Sequence, residues 1–291
     1  YLIQKHIGKP QIIRGILSAD RSLIKLMLKA ALPFALLVGF STVYNRIDVV
    51  LITKILDYTQ TGLYSAAYKF FDLLAFFPAV VSHALYPLFA TLMAQNKLAE
   101  IKETLEKYLR FMAAVALPIG VGGSLLAKPI IGILSPDYAA AAPVLAVLVW
   151  APAILFMYIV VNALVISQLT KWAMIVTGAN VVLNLVGNII LLPRVGIIGA
   201  AVMTIASELI QGAFYFYFVR KRITDFRFFS LIWKPIIASG VMGVAVFYTR
   251  FLPLVIVVGI GGVVYALTLL AMRFFHKDDI GYIKTLFSRA V

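Results

Sequence analysis

A chain of 291 residues that is 63% hydrophobic and 13% charged is too apolar for a soluble domain, which averages about 45–50% apolar and about 25% charged. Without cysteine it can form no disulfide, thiolate metal site or thiol nucleophile, and its three histidines, His6, His83 and His276, lie too far apart for a ligand set. A net charge of +14 would raise nucleic acid as a partner in a soluble protein, but here most basic residues flank apolar runs and serve as topology and headgroup signals.

Apolar runs recur along the chain, and roughly 20 such residues cross a bilayer at about 1.5 Å each. The pattern predicts an all-α, polytopic membrane helix bundle with about eight transmembrane helices. The alternating ten-residue stretches of a membrane barrel are not found. Residues 1–23 carry Lys5, Lys9, Arg14 and Arg21 around a Gly-Lys-Pro break and read as a cytoplasmic amphipathic lead-in. The chain opens on Tyr1 with no signal peptide, and the expectation is a C-terminal piece of a longer protein.

Spans are expected at about 24–55, 62–93, 108–134, 139–169, 171–192, 197–219, 232–249 and 252–273. The first two are over-long, with Pro33, Pro78 and Pro87 as bending points. Asn96 to Met112 places Leu98, Ile101, Leu105 and Leu109 on one stripe, and is expected to lie on the membrane surface before entering the third span. This divides the chain into the lead-in 1–23, a six-helix bundle 24–219, a basic cytoplasmic loop 220–231, a helix pair 232–273 and an amphipathic cytoplasmic tail 274–291. The cations agree with that count. Of 26, 20 fall on one side of the alternating spans and four, Lys54, Lys128, Arg194 and Arg250, on the other. By the positive-inside rule both termini are cytoplasmic, and the protein is a multi-pass cell-membrane protein.

The two remaining cations lie inside spans. Arg46 and Asp48 sit in the first, Lys69 and Asp72 in the second. A charge in hydrocarbon costs several kcal/mol unless it faces protein or water, so the hairpin is expected to border a polar cavity. Measured from the helix ends, Asp48 comes level with Lys69 and Arg46 with Asp72. These four form either a self-neutralising ion-pair network or a site for an anionic substrate and a coupling ion. Tyr44, Tyr64 and Tyr68 either line the lumen, where they could stack on a sugar, or anchor the interface. Asn180, Asn184 and Asn188 recur at i, i+4, i+8 and share a face for helix packing or substrate contact. Glu208, with Gln211 three residues on, is a candidate for proton or ion coupling. His83 is expected to be a packing residue. GVGG at 120–123 and GIGG at 259–262 favour close helix approach, since neither follows a strand as a phosphate loop does.

At these residues the sequence resembles a known family. The run LPFALLVGFSTVYNRIDVVLITKILDYTQTGLYSAAYKFFDLLAFFPAVVSHALYPLFATL is similar to the seventh and eighth helices of polysaccharide and oligosaccharide flippases of the MOP superfamily. So are LPIGVGGSLLAKPIIGILSPDYAAAAPVLAVL and NVVLNLVGNIILLPRVGIIGAAVMTIASELI. The resemblance implies the second of two six-helix bundles plus two additional C-terminal helices, with a first, N-terminal six-helix bundle as a missing partner. It implies a cargo of polyprenyl diphosphate-linked oligosaccharide, flipped by alternating access for cell-surface polysaccharide assembly, with membrane lipids as surroundings. Arg46 and Lys69 match the cations that receive the diphosphate. Tyr64, Tyr68, Asn180 and Asn184 are further substrate-binding candidates, and Asp48, Asp72 and Glu208 are the ion-coupling candidates. No enzyme activity, cofactor, metal or nucleic acid is expected. The alternatives are a multidrug or toxin exporter of the same superfamily, which should have a net acidic lumen, and a membrane-embedded glycan polymerase or transferase. The short loops and scattered histidines argue against the latter.

Overall fold

The computed structural model describes residues 21–274, and every regular element among them is helical. The lead-in before Arg21 and the tail beyond Phe274 lie outside the described residues. Helices α1 (Arg21–Ile55) and α2 (Tyr58–Ala94) form the opening hairpin. Asp57 caps α2 by accepting the Gln60 N–H at 2.7 Å, which satisfies one of the free donors of the first turn. Next come α3 (Leu98–Leu125), the short α4 (Ala127–Gly132), a 3-10 turn (Pro136–Ala141) and α5 (Ala142–Leu148). The long α6 (Trp150–Val195) precedes α7 (Ile197–Arg222), α8 (Phe228–Thr249) and α9 (Leu254–Ala271).

Among the described residues, eight segments are long and apolar enough to cross a membrane, and their order is the expected one. Two of them, Pro136–Ile166 and Leu169–Val195, meet within α6, where Leu169 leaves the helical region at φ −133°, ψ 43°. At the far end of α6 the chain reverses through Gly196, whose φ of +67° strains any residue with a Cβ. Its N–H still closes on the Leu192 carbonyl at 3.0 Å. The turn brings α7 back along the second limb of α6, and this pair has the most extensive contact in the molecule. Small residues permit it. A Cβ on Gly187 would run into the Met203 side chain, and Ala200 and Ala201 are fully buried.

The apolar core has two main parts, with two small clusters, around Met242 and around Leu269, on α8 and α9. One gathers Phe89, Ile101, Leu105, Leu109, Phe156 and Tyr215 toward the cation-rich helix ends. The other gathers Ile52, Ile131, Leu148, Leu192 and Ala200 toward the cation-poor ends.

Three expectations change. The amphipathic segment after Asn96 does not lie apart on the membrane surface: it is the first three turns of α3, and Ile101, Leu105 and Leu109 are fully buried in the bundle. Tyr108 from the same segment donates to the Phe156 carbonyl at 2.7 Å. Its charges stay on the outer side, with Lys97–Glu100 at 2.9 Å and Lys107–Glu103 at 2.6 Å. Second, α1 packs more on α6 than on its hairpin partner α2. Third, the two glycine runs do more than bring helices together. Gly120 and Gly123 admit Trp150 and Val149, while Gly122, Gly123, Gly261 and Gly262 line an apolar cleft of about 370 Å³ between α2, α3, α8 and α9.

Candidate functional site

Helical geometry separates the four hairpin charges. Residues two apart on a helix project about 200° from each other, while residues four apart share a face. On α1, Tyr44 and Asp48 therefore turn toward the bundle, and Arg46 turns away. Asp48 is 6% exposed, Tyr44 is half-buried and Arg46 is exposed. On α2, Tyr64 is fully buried, whereas Lys69 and Asp72 are exposed. Among the described residues no ion pair joins Arg46, Asp48, Lys69 and Asp72, so of the two alternatives the self-neutralising network is not formed. The register moves as well. Because α2 begins at Tyr58, Lys69 lies about 16 Å from its helix end, and Arg46 lies about 14 Å from the end of α1. The two cations are thus level with each other.

Asp48 finds polar partners instead of a cation. Its Oδ2 accepts from the Tyr64 hydroxyl at 3.0 Å and the Thr204 hydroxyl at 2.9 Å. Its Oδ1 accepts from Asn188 Nδ2 at 2.8 Å. That same nitrogen lies 3.0 Å from both the backbone and the side-chain oxygen of Asn184. An amide nitrogen with two hydrogens thus faces three oxygens. The buried Oδ1 of Asn188 has no hydrogen-bond partner.

The three asparagines of α6 face α7 as a zipper. Asn188 reaches toward Thr204 through Asp48. Asn184 Nδ2 donates to Ser207 Oγ at 3.3 Å, and Asn180 Nδ2 donates to Gln211 Oε1 at 2.9 Å. Beside this zipper lies a second carboxylate. Glu208 is 3% exposed. Its Oε1 accepts from the Tyr44 hydroxyl at 2.9 Å, and its Oε2 accepts a short bond from the Tyr158 hydroxyl. Gln211 Nε2 donates to the Tyr158 oxygen at 3.3 Å. In this conformation Tyr64, Asn180 and Asn184, expected as substrate contacts, are buried between helices and do not reach the open side of the hairpin. Asp72 stands apart from Asp48 and Glu208, on that open side.

The open side belongs to α1 and α2. The most apolar stretches of α1 and α2 are the least buried of the eight spans, so these helices present surface that nothing else in the described residues covers. Arg46, Lys69, Asp72 and Asn45 are exposed on these two helices. Tyr68 is half-buried behind them, its ring 4.8 Å from that of Phe71 and 5.7 Å from that of Tyr64. His83 bonds within its own helix, Nδ1 to the Ala79 carbonyl at 2.7 Å. Among the described residues no group of three or more histidine, cysteine or acidic side chains could hold a metal ion.

Sequence reasoning missed Thr204, Ser207 and Tyr158. The first two were legible as part of a polar face on α7, since Thr204, Ser207, Glu208 and Gln211 fall at helical spacing opposite the asparagine face of α6. Tyr158 carried no such signal.

The chain is an all-α polytopic bundle with a polar seam between paired helices, and solved structures share this fold. The chain superposes on the lipid II flippase MurJ in its inward closed conformation with a TM-score of 0.72, over 88% of this chain and 56% of that one, at 18% identity. It also resembles an outward-facing multidrug resistance MATE transporter of the MOP superfamily, with a TM-score of 0.51, over 76% of this chain and 53% of that one, at 18% identity.

Within that fold the sequence resembles the polysaccharide flippases. Residues 13–143 match the family described as "Polysaccharide biosynthesis protein". The chain is 22% identical over 208 residues to the probable flippase AglR of Haloferax volcanii, covering 70% of this chain and 44% of that protein. It spans about half the length of the curated relatives it matches.

Proposed function

We propose that the chain is the C-terminal part of a transporter that flips polyprenyl diphosphate-linked oligosaccharide across the cytoplasmic membrane by alternating access, for cell-surface polysaccharide assembly. In this reading its termini are cytoplasmic and its open side meets an N-terminal six-helix bundle across a wet lumen. The observation that carries the reading is the pair Arg46 and Lys69: exposed within candidate membrane spans and free of ion pairs among the described residues. A cation within a membrane span needs water or an anion. A guanidinium offers a diphosphate two parallel hydrogen bonds, and the lysine adds a point charge. Tyr68 supplies an aromatic face for a sugar, and Asp72 a hydrogen-bond acceptor for its hydroxyls. The lipid tail remains in the bilayer, and the protein lowers the barrier of desolvating the charged headgroup.

Asp48 is proposed as the coupling site. A buried carboxylate without a cationic partner is unusual in hydrocarbon. Turning the Asn188 amide end for end would replace its nitrogen by oxygen and leave an all-oxygen nest with Asp48, Asn184 and Thr204. Such a nest, with one net negative charge, suits a small monovalent cation better than a divalent one, which takes more carboxylates.

The test is binding and translocation of a polyprenyl diphosphate sugar by the complete transporter carrying R46A, K69A or both. Each single variant is expected to weaken binding by about tenfold or more and the double variant by about 100-fold or more, with membrane insertion retained. Undiminished binding by the double variant, or preferential binding of an organic cation, overturns the cargo assignment. The second outcome would favour an exporter.

A further inference from the structure

We propose that Glu208 is a proton-loading site, distinct from the cation nest at Asp48, and that Tyr44 carries the proton between it and the open side. The inference rests on the transporter reading and adds to it a second coupling ion with its own route.

Three observations place the site. First, both oxygens of Glu208 are taken by phenol hydroxyls, Tyr44 on Oε1 and Tyr158 on Oε2, and among the described residues no cation pairs with it. The titratable groups that face it are Tyr44 and Asp48 from α1, Tyr68 from α2, Tyr158 from α6 and Tyr215 from its own helix. Asp48 is the one other carboxylate among them, and it accepts from Tyr64, Thr204 and Asn188 and not from Tyr44. Second, the two phenols are not equivalent. Tyr158 is 2% exposed, and its oxygen also accepts from Gln211, whose Oε1 is in turn held by Asn180. Tyr44 has Glu208 as its hydrogen-bond partner and is half-buried on α1, next to the exposed Asn45 and Arg46. Third, Tyr44 and Asp48 on α1 are spaced i, i+4, as are Glu208 and Thr204 on α7. The same two helices are therefore bridged at two successive turns, Tyr44–Glu208 and Asp48–Thr204.

The chemistry follows from donor and acceptor inventories. A carboxylate accepts only, whereas the acid both donates and accepts. When a proton from the lumen reaches the Tyr44 oxygen, the phenol passes its own proton to Glu208 Oε1, and the incoming one takes its place. The new O–H on Glu208 points at the Tyr44 oxygen, so the phenol must turn its own O–H away, toward the open side. Tyr158 does not take that part, because it is buried and the group facing its oxygen from the other side is the Gln211 amide N–H. Loading therefore reverses the polarity of the Tyr44–Glu208 bridge, one turn from the cation nest and two residues from Arg46.

The test is an infrared difference titration between acidic and alkaline buffer on the protein in lipid nanodiscs, with proton and deuteron exchange as the probe and no cargo present. The wild type is expected to show a protonated-carboxyl band that E208Q loses and D48N keeps. After a pH jump, Y44F should form the same band at least about tenfold more slowly, because the relay oxygen has been removed. Retention of the band by E208Q, or formation in Y44F at the wild-type rate, overturns the proposal. A protein kept out of nanodiscs by E208Q would be replaced by Y44F alone, whose rate decides the question. The readout contains no sugar-lipid, so it separates failure of this site from failure of the cargo assignment.

Discussion

Single side chains decide what the opening hairpin can do, and a two-residue offset along a helix decides which way they point. Arg46 and Asp48 look paired in the sequence, yet they stand on opposite sides of α1, and each depends on different surroundings. That both spans carry charges was legible from composition. Their partners were not, because the linear distance to a helix end fixes depth and says nothing about azimuth. The azimuth was nonetheless encoded, since Tyr44 and Asp48 recur at helical spacing with the apolar Leu37 and Ile52, all facing the bundle. The Asp48 nest yields a prediction at this scale. Asn188→Ala removes the one amide bond to Asp48 Oδ1 and should lower thermal stability in detergent by about 1–2 kcal/mol, the range seen for polar contacts between membrane helices. Asn162→Ala, at a position whose Oδ1 has no hydrogen-bond partner, should cost less.

At the scale of helices, the order and number of spans were readable because length and hydropathy dominate, and all eight appear. What hydropathy could not resolve was the course of α3. A stripe of Leu and Ile with charges opposite suits a helix lying on a membrane and equally one standing against a bundle. The decision came from tertiary partners, with Tyr108 reaching the Phe156 carbonyl and Ile101, Leu105 and Leu109 filling the core toward the cation-rich helix ends. The asparagine face of α6 was legible, and so was half of its counterpart on α7. Their antiparallel registration depends on the reversal at Gly196. Gly196→Ala places a Cβ at φ +67° and should destabilise the protein by about 1–2 kcal/mol. In the same thermal melt, Gly240→Ala, in a helix interior with nothing near its added Cβ, should be neutral or stabilising.

The whole molecule is asymmetric. Helices α6 and α7 are its core pair, α8 lies against α3 and carries α9, and α1 and α2 leave surface uncovered. On these two helices two cations and one carboxylate are exposed and Tyr68 is half-buried, among exposed apolar residues such as Val43, Leu73 and Phe76 like those elsewhere on the surface, Val244, Phe247 and Leu267. The account stands on the open side facing water, and the absence of native cysteine makes it directly measurable. A single thiol introduced by R46C or K69C, in otherwise unaltered protein in membranes, should react with a charged maleimide at least about tenfold faster than one introduced by V244C, because only a hydrated thiol ionises and meets the reagent. Equal, slow labelling at all three positions would mean that Arg46 and Lys69 face lipid, and would contradict the proposed transport site.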